Sequence, residues 1–100
     1  MLMELSLFPL DKGESVGTYI AKSLAIIEKS KLPFHLHAMG TLIEGEWDQL
    51  LQIAKQCFEE MRKNSHRIEI SIKIDYREGH QTLLKEKVDS IEKKLHHKLN

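Results

Sequence analysis

The chain has 100 residues, of which 41% are hydrophobic and 30% are charged. These proportions are typical of a small folded domain, because disordered chains are poorer in apolar residues. Fifteen basic residues balance fifteen acidic ones, so no overall positive field attracts a polyanion. We therefore predict one domain over residues 1–100 that does not bind nucleic acid.

The sequence contains no pattern that predicts export or membrane insertion. The first ten residues alternate and include Glu4, whereas a secretory signal needs a basic start and a continuous apolar core. No apolar run approaches the roughly 20 residues that span a bilayer. Cys57 is the only cysteine, so an internal disulfide is excluded, and its helical spacing predicts a small buried hydrophobe. We predict a cytoplasmic protein without a membrane partner.

The first half of the chain predicts a strand, a helix and a β-hairpin. Residues 3–9 alternate with a period of two, and Ser15 can cap a helix that ends near residues 29–31. Pro33 forbids further helix and starts a strand over residues 34–38. Gly40 then separates this strand from a second one over residues 41–44. The alternation predicts one face as core in each strand: Met3, Leu5, Leu7 and Pro9 in the first, and Phe34, Leu36 and Ala38 in the second.

The second half predicts a helix, a strand and a further helix. Trp47 opens an amphipathic pattern that ends near Asn64, with Glu46 and Asp48 favourably placed at its start. Residues 66–76 alternate strictly, with isoleucines on one face. After Gly79 a third helix carries apolar residues among many charges, and these are Leu83, Leu84, Val88, Ile91 and Leu95.

The order strand, helix, strand, strand, helix, strand predicts a fold in the α+β class. With right-handed crossovers it gives a ferredoxin-like β-α-β-β-α-β sandwich with a four-stranded antiparallel sheet, extended here by a C-terminal helix. The helices cover one face, and the other face is a wet surface, an oligomer interface or the floor of a binding site. The side chains predicted on that open face are Glu4, Ser6, Phe8, His35, His37, Glu69, Ser71 and Lys73.

Few residues are arranged for catalysis or for metal binding. His35 and His37 are two apart on a strand, so both can reach one metal ion, but a third ligand is needed and a solvated role is favoured. No serine follows a strand-turn-helix elbow, and no glycine-rich loop cradles a phosphate. We predict no catalytic residue and no cofactor.

Glu44 is the carboxylate least explained by folding, because it ends a short strand rather than capping a helix. It can accept hydrogen bonds from an amino-substituted heterocycle, and Gly40 and Gly45 allow a flat ligand to approach the backbone. Phe8, Trp47 or Tyr76 could stack on such a ring. A solvated hairpin residue explains Glu44 equally well.

The segment Met-Gly-Thr-Leu-Ile-Glu-Gly at residues 39–45, followed by a helix and by the strand of residues 66–77, resembles the small thiamine-binding family of YkoF-like domains. The similarity covers nearly the whole chain, and the Met-Gly-Thr-x-x-Glu-Gly element is its specific part. Some members bind thiamine or its hydroxymethylpyrimidine moiety without catalysing a reaction, and they assemble as dimers or tetramers. His35 and His37 depart from the residues that many relatives carry before this element.

The resemblance implies a non-enzymatic carrier or sensor that binds thiamine or a related aminopyrimidine on the open sheet face and forms a homo-oligomer, with a tetramer expected. A structural or regulatory interaction module without a small ligand, and a metal-binding protein using His35 and His37, are the alternatives. The predicted ligand-binding residues are Ser6, Phe8, His37, Met39, Gly40, Thr41, Glu44, Gly45, Trp47, Ser71 and Arg77.

Overall fold

The computed structural model describes residues 1–14, 16–79, 84 and 91–95. Each predicted strand and both crossover helices are present, with boundaries within a few residues of those expected. Ser15, the predicted cap, lies outside the described residues, as do Leu83 and Val88. In chain order the elements are β1 (Leu2–Pro9), α1 (Gly17–Lys29), β2 (Phe34–His37), β3 (Gly40–Glu44), α2 (Trp47–Arg62) and β4 (Ile68–Asp75).

The four strands form one antiparallel sheet in the order β2-β3-β1-β4. This order and the two crossover helices confirm the ferredoxin-like α+β fold, and the helical residues 84 and 91–95 agree with the predicted extra helix. The central strand β1 pairs with β4 along its whole length, from Leu2 to Pro9. It pairs with β3 only from Leu2 to Leu5. The two sides of β1 are therefore unequally covered.

The core lies between the sheet and the two helices. Met3, Leu5 and Leu7 of β1 are buried, as their alternation predicted. Ile43 and Ile27 pack in the same cluster, and α2 adds the side chains Leu50, Ile53, Ala54, Cys57 and Met61. Burial raises the pKa of the Cys57 thiol to about 11, which agrees with the small buried hydrophobe predicted for this residue.

The core predicted on β2 is wrong. Phe34, Leu36 and Ala38 are exposed rather than buried, with Leu36 at 50%. The reason is the position of β2 at the sheet edge, because α1 and α2 pack on each other and over the central strand β1. Trp47 opens α2 but is 52% exposed, since the buried stripe of that helix begins one turn later.

The outer strand β4 shows the same effect at the opposite edge of the sheet. Ile68 and Ile74 at its two ends pack against the core, as predicted. Ile70 and Ile72 between them are 41% and 45% exposed. The period of two therefore predicted correctly on which face of the sheet each side chain of β4 lies. The two helices, however, do not cover the full width of that face.

A polar junction joins the end of β1 to the start of β4. The Ser65 hydroxyl donates to Asp11 Oδ1 at 2.5 Å, and the His66 backbone N–H donates to Oδ2 at 2.7 Å. These two hydrogen bonds, with that from Ser65 the larger effect, lower the pKa of Asp11 from 3.8 to about 2. The ionised carboxylate thus stabilises the turn that holds the sheet register at this end.

Replacing Asp11 by alanine should make the domain less stable at neutral pH. Because the native pKa lies below the unfolded one, the contribution of Asp11 is complete above about pH 4 and is lost as the pH falls towards 2. Urea unfolding of the wild type and of Asp11→Ala, measured from pH 6 to pH 2, should show a difference that shrinks over that interval. A difference independent of pH would contradict this account of the junction.

Candidate functional site

The shortness of β3 leaves an open notch beside β1. Antiparallel pairing of these strands ends at Leu5 and Thr41, after which the hairpin turns through Ala38 and Met39. Gly40 fits at this point because its φ is +153° and an added Cβ would lie 2.8 Å from the Leu5 carbonyl oxygen. A side chain at position 40 would therefore collide with the backbone of β1.

A cavity of about 310 Å³ occupies the notch, between α1, β1 and the β2–β3 hairpin. Its size falls in the lower part of the roughly 300–1,000 Å³ range of small-molecule sites. Both faces of β1 contribute to its wall, because no neighbouring strand covers this edge. The lining residues are Leu5, Ser6, Leu7, Phe8, Val16, Ile20, Ser23, Leu24, Ile27, Leu36, His37, Ala38, Met39, Gly40 and Thr41.

The wall is mainly apolar and carries a few polar groups. Thr41 is buried and faces the helices, opposite Leu5. Within the described part of the chain, neither its hydroxyl nor that of Ser6 has a hydrogen-bond partner. The Ser23 hydroxyl is used within α1, where it lies 3.5 Å from the Tyr19 carbonyl oxygen. Two hydroxyl groups are thus available to a molecule in the cavity.

His37 lies at the mouth of the cavity with both ring nitrogens engaged. Nδ1 accepts a hydrogen bond from the Met39 backbone N–H at 3.2 Å, and Nε2 lies 3.4 Å from Glu4 Oε2. Because Nδ1 is an acceptor, the neutral ring carries its proton on Nε2, on the side of Glu4. The ring therefore holds the hairpin turn and links it to β1.

Six of the eleven predicted ligand-binding residues meet at this cavity, and they are Ser6, Phe8, His37, Met39, Gly40 and Thr41. The other five, Glu44, Gly45, Trp47, Ser71 and Arg77, do not line it. Glu44 lies at the far end of β3, about 13 Å from Gly40 at roughly 3.3 Å per residue, and Gly45 follows it. The cavity also opens under the helices rather than on the open face alone, which differs from the predicted location.

Sequence reasoning missed the contribution of α1 to the cavity. Val16, Ile20 and Leu24 repeat at the helical spacing that is typical of core residues, yet they line the cavity. Periodicity cannot separate the two roles, since a cavity wall and a packed core need the same apolar face. The extra signal was the unequal length of the predicted strands, seven residues over 3–9 against four over 41–44.

Glu44 forms a separate feature of the sheet. The residue is only 7% exposed, and among the residues that the structure describes its Oε2 has no hydrogen-bond partner. It lies beside Leu2 on the face that the crossover helices leave open. Neighbouring carboxylates serve the start of α2 instead: Glu46 is its N-cap, with its backbone N–H bonded to Gln49 Oε1 at 3.0 Å, and Asp48 lies in the first turn.

In the described part of the chain, no group of three or more histidine, cysteine, aspartate or glutamate side chains could hold a metal ion. His35 is exposed and His37 is bonded to Glu4. Among the same residues, no helix is both long and apolar enough to cross a bilayer. The cavity is therefore the feature of this region best suited to a ligand.

The fold and the cavity define the class of protein: a ferredoxin-like α+β domain with a mainly apolar cavity at the end of its hairpin. The sequence model of the family described as "Thiamine-binding protein" matches residues 3–92. The chain belongs to this family, as the motif at residues 39–45 predicted.

Relatives of the chain support this membership. A UPF0045 protein of Methanocaldococcus jannaschii is 35% identical over 91% of each chain. The crystal structure of the hypothetical protein MJ1052 from the same organism has a TM-score of 0.84 at 32% identity, covering 90% of this chain and 93% of that one. A Thermotoga maritima protein provisionally assigned to thiamine biosynthesis or salvage has a TM-score of 0.80 over 90% of this chain and 96% of its own. At 19% identity it shows the fold alone.

Replacing Glu44 by methionine should stabilise the domain by about 1 kcal/mol. A buried carboxylate oxygen without a partner loses its hydration without compensation, and methionine has a similar length and no such cost. Chemical unfolding at pH 7 measures the change.

Glu4→Met is the matched control on the same sheet face. Its side chain is 43% exposed and faces His37, so removing the carboxylate should bring no gain in stability. The prediction is wrong if Glu44→Met lowers the free energy of unfolding while Glu4→Met does not. That result would show that the Glu44 carboxylate has a stabilising partner.

Proposed function

We propose that this chain binds thiamine, or a related aminopyrimidine such as hydroxymethylpyrimidine, in the notch cavity. The observation that carries the proposal is a cavity of about 310 Å³ at the Met-Gly-Thr turn of a chain that belongs to the thiamine-binding family. The chain then acts as a cytoplasmic carrier or sensor, in which the ligand is held and released unchanged.

The cavity wall suits the parts of such a ligand. Phe8 offers an aromatic face to the pyrimidine ring, and the free hydroxyls of Ser6 and Thr41 can bond its polar edge. Ile20 and Leu24 of α1 provide apolar cover from above. Trp47, the alternative stacking residue, is too far along the chain to serve this cavity, because it begins α2 beyond the opposite end of β3.

Binding without catalysis is supported by the chemistry of the lining residues. Neither cavity serine is hydrogen-bonded to a histidine in the described part of the chain, and His37 bonds to Glu4 and to the Met39 backbone instead. Cys57 does not line the cavity, and its raised pKa of about 11 keeps it a thiol at neutral pH. A nucleophile activated by a base is therefore lacking among these residues.

Phe8→Leu should weaken thiamine binding about tenfold, because it removes the stacking face while keeping an apolar side chain. Trp47→Leu is the matched control and should bind as the wild type does. Calorimetric titration with thiamine and with hydroxymethylpyrimidine gives both affinities. If the folded wild type releases no heat with either compound, the proposed function is wrong, and if only Trp47→Leu weakens binding, the ligand lies elsewhere.

We also propose that the chain self-associates as a dimer or a tetramer. Apolar side chains remain exposed at both sheet edges, with Phe34 and Leu36 on β2 and Ile70 and Ile72 on β4. Contact between copies of the chain would remove this surface from water. An interaction module without a ligand, the alternative function, would use the same surface.

Sedimentation velocity at micromolar concentration should report a homo-oligomer. Ile70→Lys should shift the population towards smaller species, because it introduces a charge into the exposed apolar edge of β4. Lys73→Ile, which adds an apolar side chain to the opposite face of the same strand, serves as a control for changes in strand propensity. A monomeric wild type would contradict the proposal.

A further inference from the structure

The direction of the backbone groups along β1 follows from three hydrogen bonds. Met1 and Gly45 exchange two bonds, at 2.7 Å and 3.0 Å, so the backbone of residue 1 points towards β3. The Leu10 N–H donates to the Arg67 carbonyl at 2.8 Å, so residue 10 points towards β4. The backbone N–H and C=O groups of successive residues point to opposite edges of a strand. Those of the odd residues of β1 therefore point to β3, and those of the even residues point to β4.

Leu7 is the odd residue that the short β3 leaves without a neighbour. Pairing with β3 ends at Leu5, and the hairpin has already turned where a partner for Leu7 would lie. In the described part of the chain, neither its N–H nor its C=O meets a hydrogen-bond partner. Yet Leu7 is only 8% exposed and lines the cavity. A residue so little exposed rarely leaves both its backbone donor and its backbone acceptor without partners in a folded protein.

The length of this free edge limits what can bind to it. Pro9, the next odd residue, has no N–H and adds only a carbonyl acceptor, so Leu7 alone supplies an adjacent donor and acceptor at this edge. A peptide adding as a strand needs a longer row of such groups. A small planar molecule with an acceptor next to a donor matches the pair, and an aminopyrimidine has this pattern in its ring nitrogen and adjacent amino group.

We propose that the backbone of Leu7 recognises the amino edge of the ligand through two hydrogen bonds. The Leu7 N–H donates to the pyrimidine ring nitrogen, and the amino group donates to the Leu7 C=O. Phe8, the next residue, lies beside the ring, so one short stretch of β1 supplies both the hydrogen bonds and the stacking face. The inference rests on the proposed function and adds the group that selects an aminopyrimidine over other flat rings.

The ligand side of the test compares two small probes by calorimetry. They are 4-amino-5-hydroxymethyl-2-methylpyrimidine and the same compound without its 4-amino group. The deamino compound should bind about tenfold more weakly, because it leaves the Leu7 carbonyl without a donor in the occupied cavity. Equal affinity for the two probes would overturn the inference while leaving the proposed function intact.

The protein side of the test removes the Leu7 N–H itself. The single cysteine allows synthesis of the chain by ligation of residues 1–56 to residues 57–100, with an ester in place of the amide that precedes Leu7. This ester also makes the Ser6 carbonyl a weaker hydrogen-bond acceptor, and Ser6 pairs with Ser71 on β4. The variant should bind the amino compound about tenfold more weakly than the synthetic wild type.

An ester before Ile72 is the matched control. This ester makes the Ser71 carbonyl a weaker hydrogen-bond acceptor, so it affects the same Ser6–Ser71 pair. The N–H that it removes belongs to Ile72 and points away from β1, at the outer edge of the sheet. Its affinity should stay within about twofold of the wild type. Equal loss in the two ester variants would show an effect of stability and overturn the inference. If the synthetic wild type binds neither probe nor thiamine, both the proposed function and this inference are wrong.

Discussion

The unequal pairing of the central strand is the constraint on which the site depends. β1 is bonded to β4 over eight residues but to β3 over four. Because β3 extends only as far as Gly40 at this end, no strand that the structure describes pairs with this edge of β1 from Ser6 onward. Helix α1 covers the resulting gap from one side. The cavity therefore exists because β3 is shorter than β1. It does not depend on a small side chain in the core.

The hairpin turn is held in place by interactions that also shape the cavity mouth. Gly40 lets the turn approach β1 more closely than any other residue would, with its position set against the Leu5 carbonyl. His37 bonds to the Met39 backbone on one side and faces Glu4 on the other. The same residues thus end the strand pairing and present the turn to a ligand. In this part of the domain, folding and binding depend on one local geometry.

Glu44 and the cavity show two different kinds of departure from ordinary packing. The cavity is lined mainly by apolar side chains, and among the described residues the backbone N–H and C=O of Leu7 have no partners. Glu44 is the reverse case, a buried carboxyl group at the other end of β3 with one oxygen that has no hydrogen-bond partner in the described part of the chain. The motif at residues 39–45 contains both, which is why the sequence suggested one site where the structure has two separate features.

The sequence by itself determined the element order, the faces of β1 and β4, the buried stripe of α2 and the family. These depend on local periodicity and on short motifs, and both can be read along the chain. Tertiary structure alone decided that Leu36 and Ile72 are exposed, because the width of the sheet that two helices cover is not written in any single strand. It also decided that Thr41 faces a cavity and Glu44 does not, because strand register and the place where pairing stops fix which side chains meet.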